Sequence, residues 1–209
     1  HHRRSPEDTE YNVIRKLLIA NRSEIATRVI RTARRMGIAT GAVHSEADSQ
    51  ALHVESADQA VSIGPPQARE SYLKIDHILA AAKEVHADAI HPGYGFLSEN
   101  PEFARKCREA GMVFVGPSVD AITAMASKTA ARASALRAGV PVVPGSEPLD
   151  SIDAAVAAAE SIGFPVLLKA SAGGGGIGMK LASNPDDIRK HFLSAKEKAA
   201  SYFSDGTIY

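Results

Sequence analysis

Apolar residues in this chain arrive in short blocks separated by amphipathic stretches. Lys16–Ala20 (KLLIA) is a continuous apolar run of strand length, as expected for a strand buried on both faces. Asn21-Arg22-Ser23 breaks it. Ile25, Val29, Ile30, Ala33 and Met36 then recur at helical spacing, and Gly37 ends that helix. Ile38–Val43 reads as a second strand, Ala51–Ala57 as a short helix, and Ala60–Ile63 as a strand before Gly64-Pro65-Pro66. A longer helix covers Ile75–Val85, with Ile75, Ile78, Leu79 and Ala82 on one face. Ala89–His91 is a strand stopped by Pro92-Gly93-Tyr94-Gly95. Asn100–Ala110 is a helix with Pro101 in its first turn, where proline is tolerated. Val113–Val115 is one more strand. This alternation predicts an α/β fold with an open, mostly parallel sheet. Ligands of such sheets bind at the strand C-termini. Asn21-Arg22, His44-Ser45, His91–Tyr94 and Gly116-Pro117 all directly follow strands and are expected to gather on that edge.

After Gly116 the pattern changes. Ser118–Met125 and Thr129–Ala138 are alanine-rich helices separated near Ser127-Lys128. Pro141, Pro144, Gly145 and Pro148 form a stiff, turn-rich linker. Ser151–Ile162 is helical and Phe164–Leu168 is an apolar strand. Pro185–Lys198 is a helix with Asp186 and Asp187 in its first turn and Lys196 and Lys198 in its last, as the helix dipole favours. Thr207–Tyr209 reads as the opening of a further strand. A second, small α/β unit thus runs from about Val142.

Between the two strands of that unit lies Lys169–Lys180, KASAGGGGIGMK, with four consecutive glycines at Gly173–Gly176. Backbone free of side chains can turn several N–H groups toward one point and so build an anion site. A glycine run alone is equally compatible with a flexible linker. The flanking PVLLK and GMKLA argue for a bracketed hairpin tip. A dinucleotide turn or P-loop requires a helix directly after the glycines, whereas Gly178–Leu181 reads as a strand. The segment is therefore expected to fold as strand–loop–strand over a nucleotide. Lys169, four residues before the run, is placed to put a point charge on phosphates. Lys180 is expected on a solvated strand face.

Composition narrows the field. At 209 residues the chain holds one large domain or two small ones, and 44% hydrophobic content suffices for a core. Lys+Arg and Asp+Glu are both 24, so no basic excess favours nucleic acid or a membrane surface. No apolar run approaches the roughly 18 residues of a membrane span. The single cysteine, Cys107, fits a reducing compartment and reads as a helix residue rather than a nucleophile. His44 and His91 are also compatible with plain loop roles, and no His/Cys/Asp spacing indicates a metal. Residues 1–14 lack an apolar core and are expected to be a disordered lead, with His1-His2 consistent with a tag remnant.

Several segments in order carry a resemblance. LIANRSEIATRVIRTARRMGI, HPGYGFLSENPEFA (His91–Ala104), FVGPS, Lys128, GVPVVPGS and FPVLLKASAGGGGIGMK resemble the biotin carboxylase component of biotin-dependent carboxylases, in the ATP-grasp superfamily. The resemblance runs from about Arg15 to Tyr209. It implies a Rossmann-like pre-ATP-grasp domain over 15–116, a helical connector over 117–141, and an incomplete ATP-grasp lid subdomain over 142–209. It implies ATP, Mg2+ and bicarbonate as reactants and cofactor, with biotin as the carried substrate. Carboxyphosphate forms from ATP and bicarbonate, and its breakdown delivers CO2 to biotin. By the same resemblance Lys128 and Lys169 hold nucleotide phosphates, Gly175 and Gly176 cover them, Met179 packs near adenine, and Tyr94 lies near the biotin pocket. The implied partners are a biotin carboxyl carrier domain and a carboxyltransferase, within an acyl-CoA or pyruvate carboxylase. A homodimer is left open. The implied location is cytoplasmic, or the mitochondrial matrix in a eukaryote.

Five residues at four places depart from the family pattern. Ser23 stands where glycine is usual, Ala126-Ser127 where Gly-Asp is usual, Ala172 where the glycine run usually starts, and Ile177 where a basic residue is common. The family continues for about as many residues again, and its metal ligands and general base lie in that part. The 209-residue chain alone is therefore expected to be inactive. Another ATP-grasp ligase is a rival reading, which HPGYGFLSEN disfavours. A truncated homologue acting as a binding module without catalysis is a second.

Overall fold

The computed structural model describes residues 13–171, 179–203 and 206–209. The disordered lead expected over 1–14 therefore falls almost wholly outside the described residues, as do Ala172 and the glycines 173–176 and 178. The chain divides into two compact units, His1–Ile122 and Thr123–Tyr209.

The first unit is built on five parallel strands in the order β3-β2-β1-β4-β5. They are β1 (Lys16–Ile19), β2 (Ala39–His44), β3 (Gln59–Ser62), β4 (Ala89–His91) and β5 (Val113–Phe114). Helices α1 (Ser23–Arg35), α2 (Leu52–Ser56), α3 (Ile75–Glu84) and α4 (Pro101–Glu109) fall between them. The central strand shows why its sequence is apolar throughout. Leu17 and Ile19 point to one face, where they meet Ala26, Ile30 and Ala33 of α1. Leu18 and Ala20 point to the other, among Ile78 and Ala82 of α3 and Phe103 and Cys107 of α4. Burying each such aliphatic side chain stabilises the fold by about 1.5–3 kcal/mol. At Gly41 of β2 an added Cβ would lie 3.0 Å from Val85 and 3.2 Å from Leu18, so a larger residue there would require those side chains to give by a few tenths of an ångström.

Helix α5 (Val119–Met125) follows, and its Val119 and Ile122 pack on the first core. The second unit contains α6 (Lys128–Arg137), α7 (Ile152–Ile162) and α8 (Pro185–Phe203) with the antiparallel pair β6 (Val166–Leu168) and β7 (Lys180–Ala182). Its core joins Ala155, Val156 and Ala159 of α7 to Ile188, Phe192, Ala195 and Ala199 of α8, over Leu168, Ala170, Ala182 and Ile208. The three-to-four-residue spacing along α8 puts those four residues on one stripe. Ile208 bridges antiparallel to both Leu149 and Ala170, so the chain end pairs as the sequence pattern predicts.

Most expected elements form within two residues of their expected ends. α8 runs to Phe203 rather than Lys198, because its apolar stripe continues through Ala199. Two short 3₁₀ turns, Glu46–Asp48 and Ala68–Glu70, have no periodic signal and are not expected from the pattern. Among the described residues no helix is long and apolar enough to cross a membrane.

Candidate functional site

Each unit presents one place where the residues singled out above converge. In the second unit, a cavity of about 610 Å3 runs along β6. Lys128, Arg132 and Lys169 line it, together with the Val142–Ser146 linker, Leu167 and Tyr209. Among the described residues that line it there is no Asp or Glu, so its charged side chains are all cationic. Such a lining favours an anionic occupant.

The local sequence explains how Lys128 and Lys169 reach one cavity. Lys128 is the first residue of α6, whose N-cap Ser127 accepts a hydrogen bond from the Ala130 amide at 3.4 Å. No acidic side chain occupies the first turn of α6 to oppose an anion there. Serine at 127 thus supplies the helix cap. Thr129 ties this helix start to the end of the β6 segment through a 3.2 Å contact with Ser171, which is buried. Lys169 directly follows β6. Its backbone exchanges hydrogen bonds with Tyr209, at 3.0 Å and 2.9 Å. Side chains alternate along a strand, so Lys169 shares a face with Leu167, whereas Leu168 points into the core.

Leu167, Arg132 and Tyr209 line the cavity without having been singled out in the sequence. Leu167 could have been found by counting back two from Lys169. Arg132 is held by the carbonyls of Val143 and Gly145, contacts no local pattern reveals. Met179 precedes β7 and is 45% exposed, and it is not among the lining residues. Gly175 and Gly176 lie outside the described residues. Lys180 differs from expectation. It is half-buried and pairs with Leu168, on the same face as buried Ala182, while Leu181 takes the exposed face. The period-two alternation of β7 is in the register opposite to the one expected.

In the first unit three of the four expected strand-end segments, Asn21-Arg22, His44-Ser45 and His91–Tyr94, are joined by hydrogen bonds. Asn21, after β1, is buried, and its Nδ2 donates to the carbonyls of Pro92 and Tyr94 at 2.8 Å each. Tyr94 itself is 61% exposed, and its hydroxyl donates to Glu24 Oε1 at 2.6 Å. That bond to a carboxylate holds the phenol pKa above its ordinary value. His91 accepts from the Gly93 amide through Nδ1 at 2.9 Å, and burial pushes its pKa down. Asp48 is the hub of a second cluster, accepting from Tyr72 at 2.6 Å, Ser45 at 2.9 Å and Arg22 at 3.2 Å. Partial burial raises its pKa, but those three donors outweigh burial and leave it lowered. Asn21 makes its bonds to Pro92 and Tyr94 at the point between β1 and β4 where a doubly wound sheet reverses direction and commonly binds its ligand. Cys107 is buried in α4 and burial pushes its thiol up to about 12, which removes it as a nucleophile at neutral pH.

Residues 13–122 match the family described as biotin carboxylase, N-terminal domain. The chain belongs to the biotin carboxylase family. Residues 127–209 match the ATP-binding domain of the carbamoyl-phosphate synthase L chain. A biotin carboxylase from Halalkalibacterium halodurans is 54% identical over 198 residues, covering 94% of this chain and 44% of that one. Among solved structures, the biotin carboxylase β-γ-ATP complex from Campylobacter jejuni matches with a TM-score of 0.86 and 49% identity, over 94% of this chain and 44% of that one. The biotin carboxylase domain of Hydrogenobacter thermophilus 2-oxoglutarate carboxylase, a dimer with MgADP, ADP and bicarbonate, matches with a TM-score of 0.83 and 45% identity, over 93% and 43%. This biotin carboxylase family member thus spans less than half the length of the relatives it matches.

Proposed function

We propose that this chain is the N-terminal half of a biotin carboxylase, a ligase that carboxylates carrier-bound biotin using ATP and bicarbonate. The observation that carries the reading is the shared cavity. Lys128 and Lys169, some forty residues apart, line one pocket whose described charged side chains are all cationic. On this reading residues 15–116 are the pre-ATP-grasp domain, 117–141 the helical connector and 142–209 the lid subdomain. Lys128 and Lys169 hold the nucleotide phosphates, Gly175 and Gly176 cover them, and Met179 packs near adenine. Tyr94 faces biotin. Mg2+, when bound, neutralises phosphate charge during transfer. Among the described residues no three His, Cys, Asp or Glu gather to hold a metal, and none is assigned to it. The partners are a biotin carboxyl carrier domain and a carboxyltransferase, in a homodimeric assembly in the cytoplasm or mitochondrial matrix.

The test is steady-state kinetics of a full carboxylase carrying this chain, with ATP varied at saturating biotin and bicarbonate. A lysine preorganised against developing phosphoryl charge contributes on the order of 3 kcal/mol, so Lys169→Gln lowers turnover roughly a hundredfold. Lys180→Gln, on the opposite strand face from the cavity side of Lys169, leaves ATP turnover nearly unchanged. Equal and mild effects at the two positions would overturn the nucleotide assignment.

A further inference from the structure

We propose that Asn21 and Arg22, in the turn between β1 and α1, are positioning residues that fix the loop carrying Tyr94. The inference rests on the reading of Tyr94 as the residue that faces biotin, and adds what holds it there. Every polar hydrogen of the Asn21 amide is committed to the loop: Nδ2 donates to Pro92 and to Tyr94, both at 2.8 Å. Its Oδ1 accepts from the Arg22 amide at 2.9 Å, which fixes the orientation of the side chain. Between the two gripped carbonyls, Gly93 has φ +66, and a Cβ there would fall 2.7 Å from Asn21 Nδ2. The loop therefore crosses the amide with no room for slippage.

Arg22 secures the far end. Its guanidinium lies over the rings of Tyr72, at 5.3 Å, and Phe96, at 5.6 Å. Those rings stack with centroids 5.0 Å apart. Arg22 also pairs with Asp48 at 3.2 Å, and Tyr72 donates to the same carboxylate oxygen. Phe96 has φ 43, a left-handed conformation that bulky side chains rarely adopt and that surrounding contacts must hold. Tyr94 is thus exposed on a backbone gripped on both sides, and Glu24 orients its hydroxyl. An exposed aromatic ring on a fixed backbone suits a flat, uncharged ligand that must be placed accurately. A small misplacement of such a group can cost up to about a hundredfold in rate.

The experiment compares Asn21→Ala, Tyr94→Ala and the double variant in the full carboxylase, reading KM for free biotin, KM for ATP and kcat. Thr40→Val serves as control, since Thr40 bonds Asp58 in the same unit without touching the loop. The expected result is a rise of about tenfold or more in biotin KM for Asn21→Ala, with ATP KM unchanged. The double variant should be no worse than Tyr94→Ala, because Asn21 acts through Tyr94. Thr40→Val should lose thermal stability with biotin KM intact. If Asn21→Ala does not fold, Arg22→Met, which frees the Phe96 end, carries the same comparison. A rise in biotin KM with Tyr94→Ala but not with the turn variants, or additive effects in the double variant, overturns the inference alone. An unchanged biotin KM in Tyr94→Ala overturns the reading of Tyr94 and the inference with it.

Discussion

Ser23 has φ 57, in the left-handed region, at the first turn of α1. An L-residue there costs about 1–2 kcal/mol relative to glycine, which gives a physical reason for the glycine usual at this position. Glycine loses about 0.5–1 kcal/mol more chain entropy on folding. Ser23→Gly should therefore raise stability by up to about 1 kcal/mol, read as a higher urea midpoint at unchanged slope. A lower midpoint would mean that the strain is absent. His53 makes the opposite kind of statement. It is fully buried, its Nε2 lies 3.1 Å from the Val43 carbonyl, and its Nδ1 has no partner. Protonation would bury a second N–H with nothing to accept it, and burial holds the pKa below 6.5. Because the folded pKa is depressed, its stabilising contribution is present above pH 6.5 and is lost as pH falls through the folded value. His91 acts in the same sense. Asp48 and Asp58, also lowered, act only below about 3.8. Urea midpoints at pH 5 and pH 7.5 should thus differ in the wild type and differ less in His53→Gln. An identical difference in both would remove His53 from the acid response.

At the scale of elements, helix starts separate by the quality of their caps. Asn100 caps α4 with a 3.0 Å bond from the Phe103 amide, and Pro101 follows at the first helical position. The Ser127 cap of α6 is longer, at 3.4 Å, and exposed. Asn100→Ala should cost about 1 kcal/mol, and Ser127→Ala only a few tenths, at the low end of the range for caps. Chemical denaturation of the two variants provides the measurement, and a larger loss at Ser127 would reverse the ranking. The register of β7 belongs to the same scale. Three residues cannot by themselves show which face is inward, and the match of Lys180 to Leu168 was fixed by pairing with β6.

At the scale of the whole molecule, the proposed reading assigns the cationic cavity to a nucleotide, while the chain covers 44% of the Halalkalibacterium relative. Residues 1–209 expressed by themselves should show no ATP hydrolysis that rises with added biotin and bicarbonate. Phosphoryl transfer draws most of its acceleration from metal ions and positioned charge, and the resemblance puts the metal-holding side chains in the part of the relatives that this chain does not cover. Phosphate release assays with and without biotin make the check. Biotin-stimulated release, with contaminating ATPases excluded, would show that this half is catalytically sufficient.

The order and type of the elements were legible in the sequence because hydrophobic periodicity is a local property, carried by residues within a few positions of each other. The strand-following residues Asn21, His44 and His91 and the place of Lys169 at a strand end were legible for the same reason, as were the segments that resemble the biotin carboxylases. What the tertiary structure decided is of another kind. The bond from Asn21 to a loop some seventy residues later, and the stack of Arg22 over Tyr72 and Phe96, join segments that share no local pattern. The meeting of Lys128 with Lys169, the left-handed φ of Ser23 and Phe96, and the inward turn of Lys180 arise the same way. Side-chain direction and the sign of φ are fixed by packing against residues distant in the chain, and that packing exists only once the core has formed.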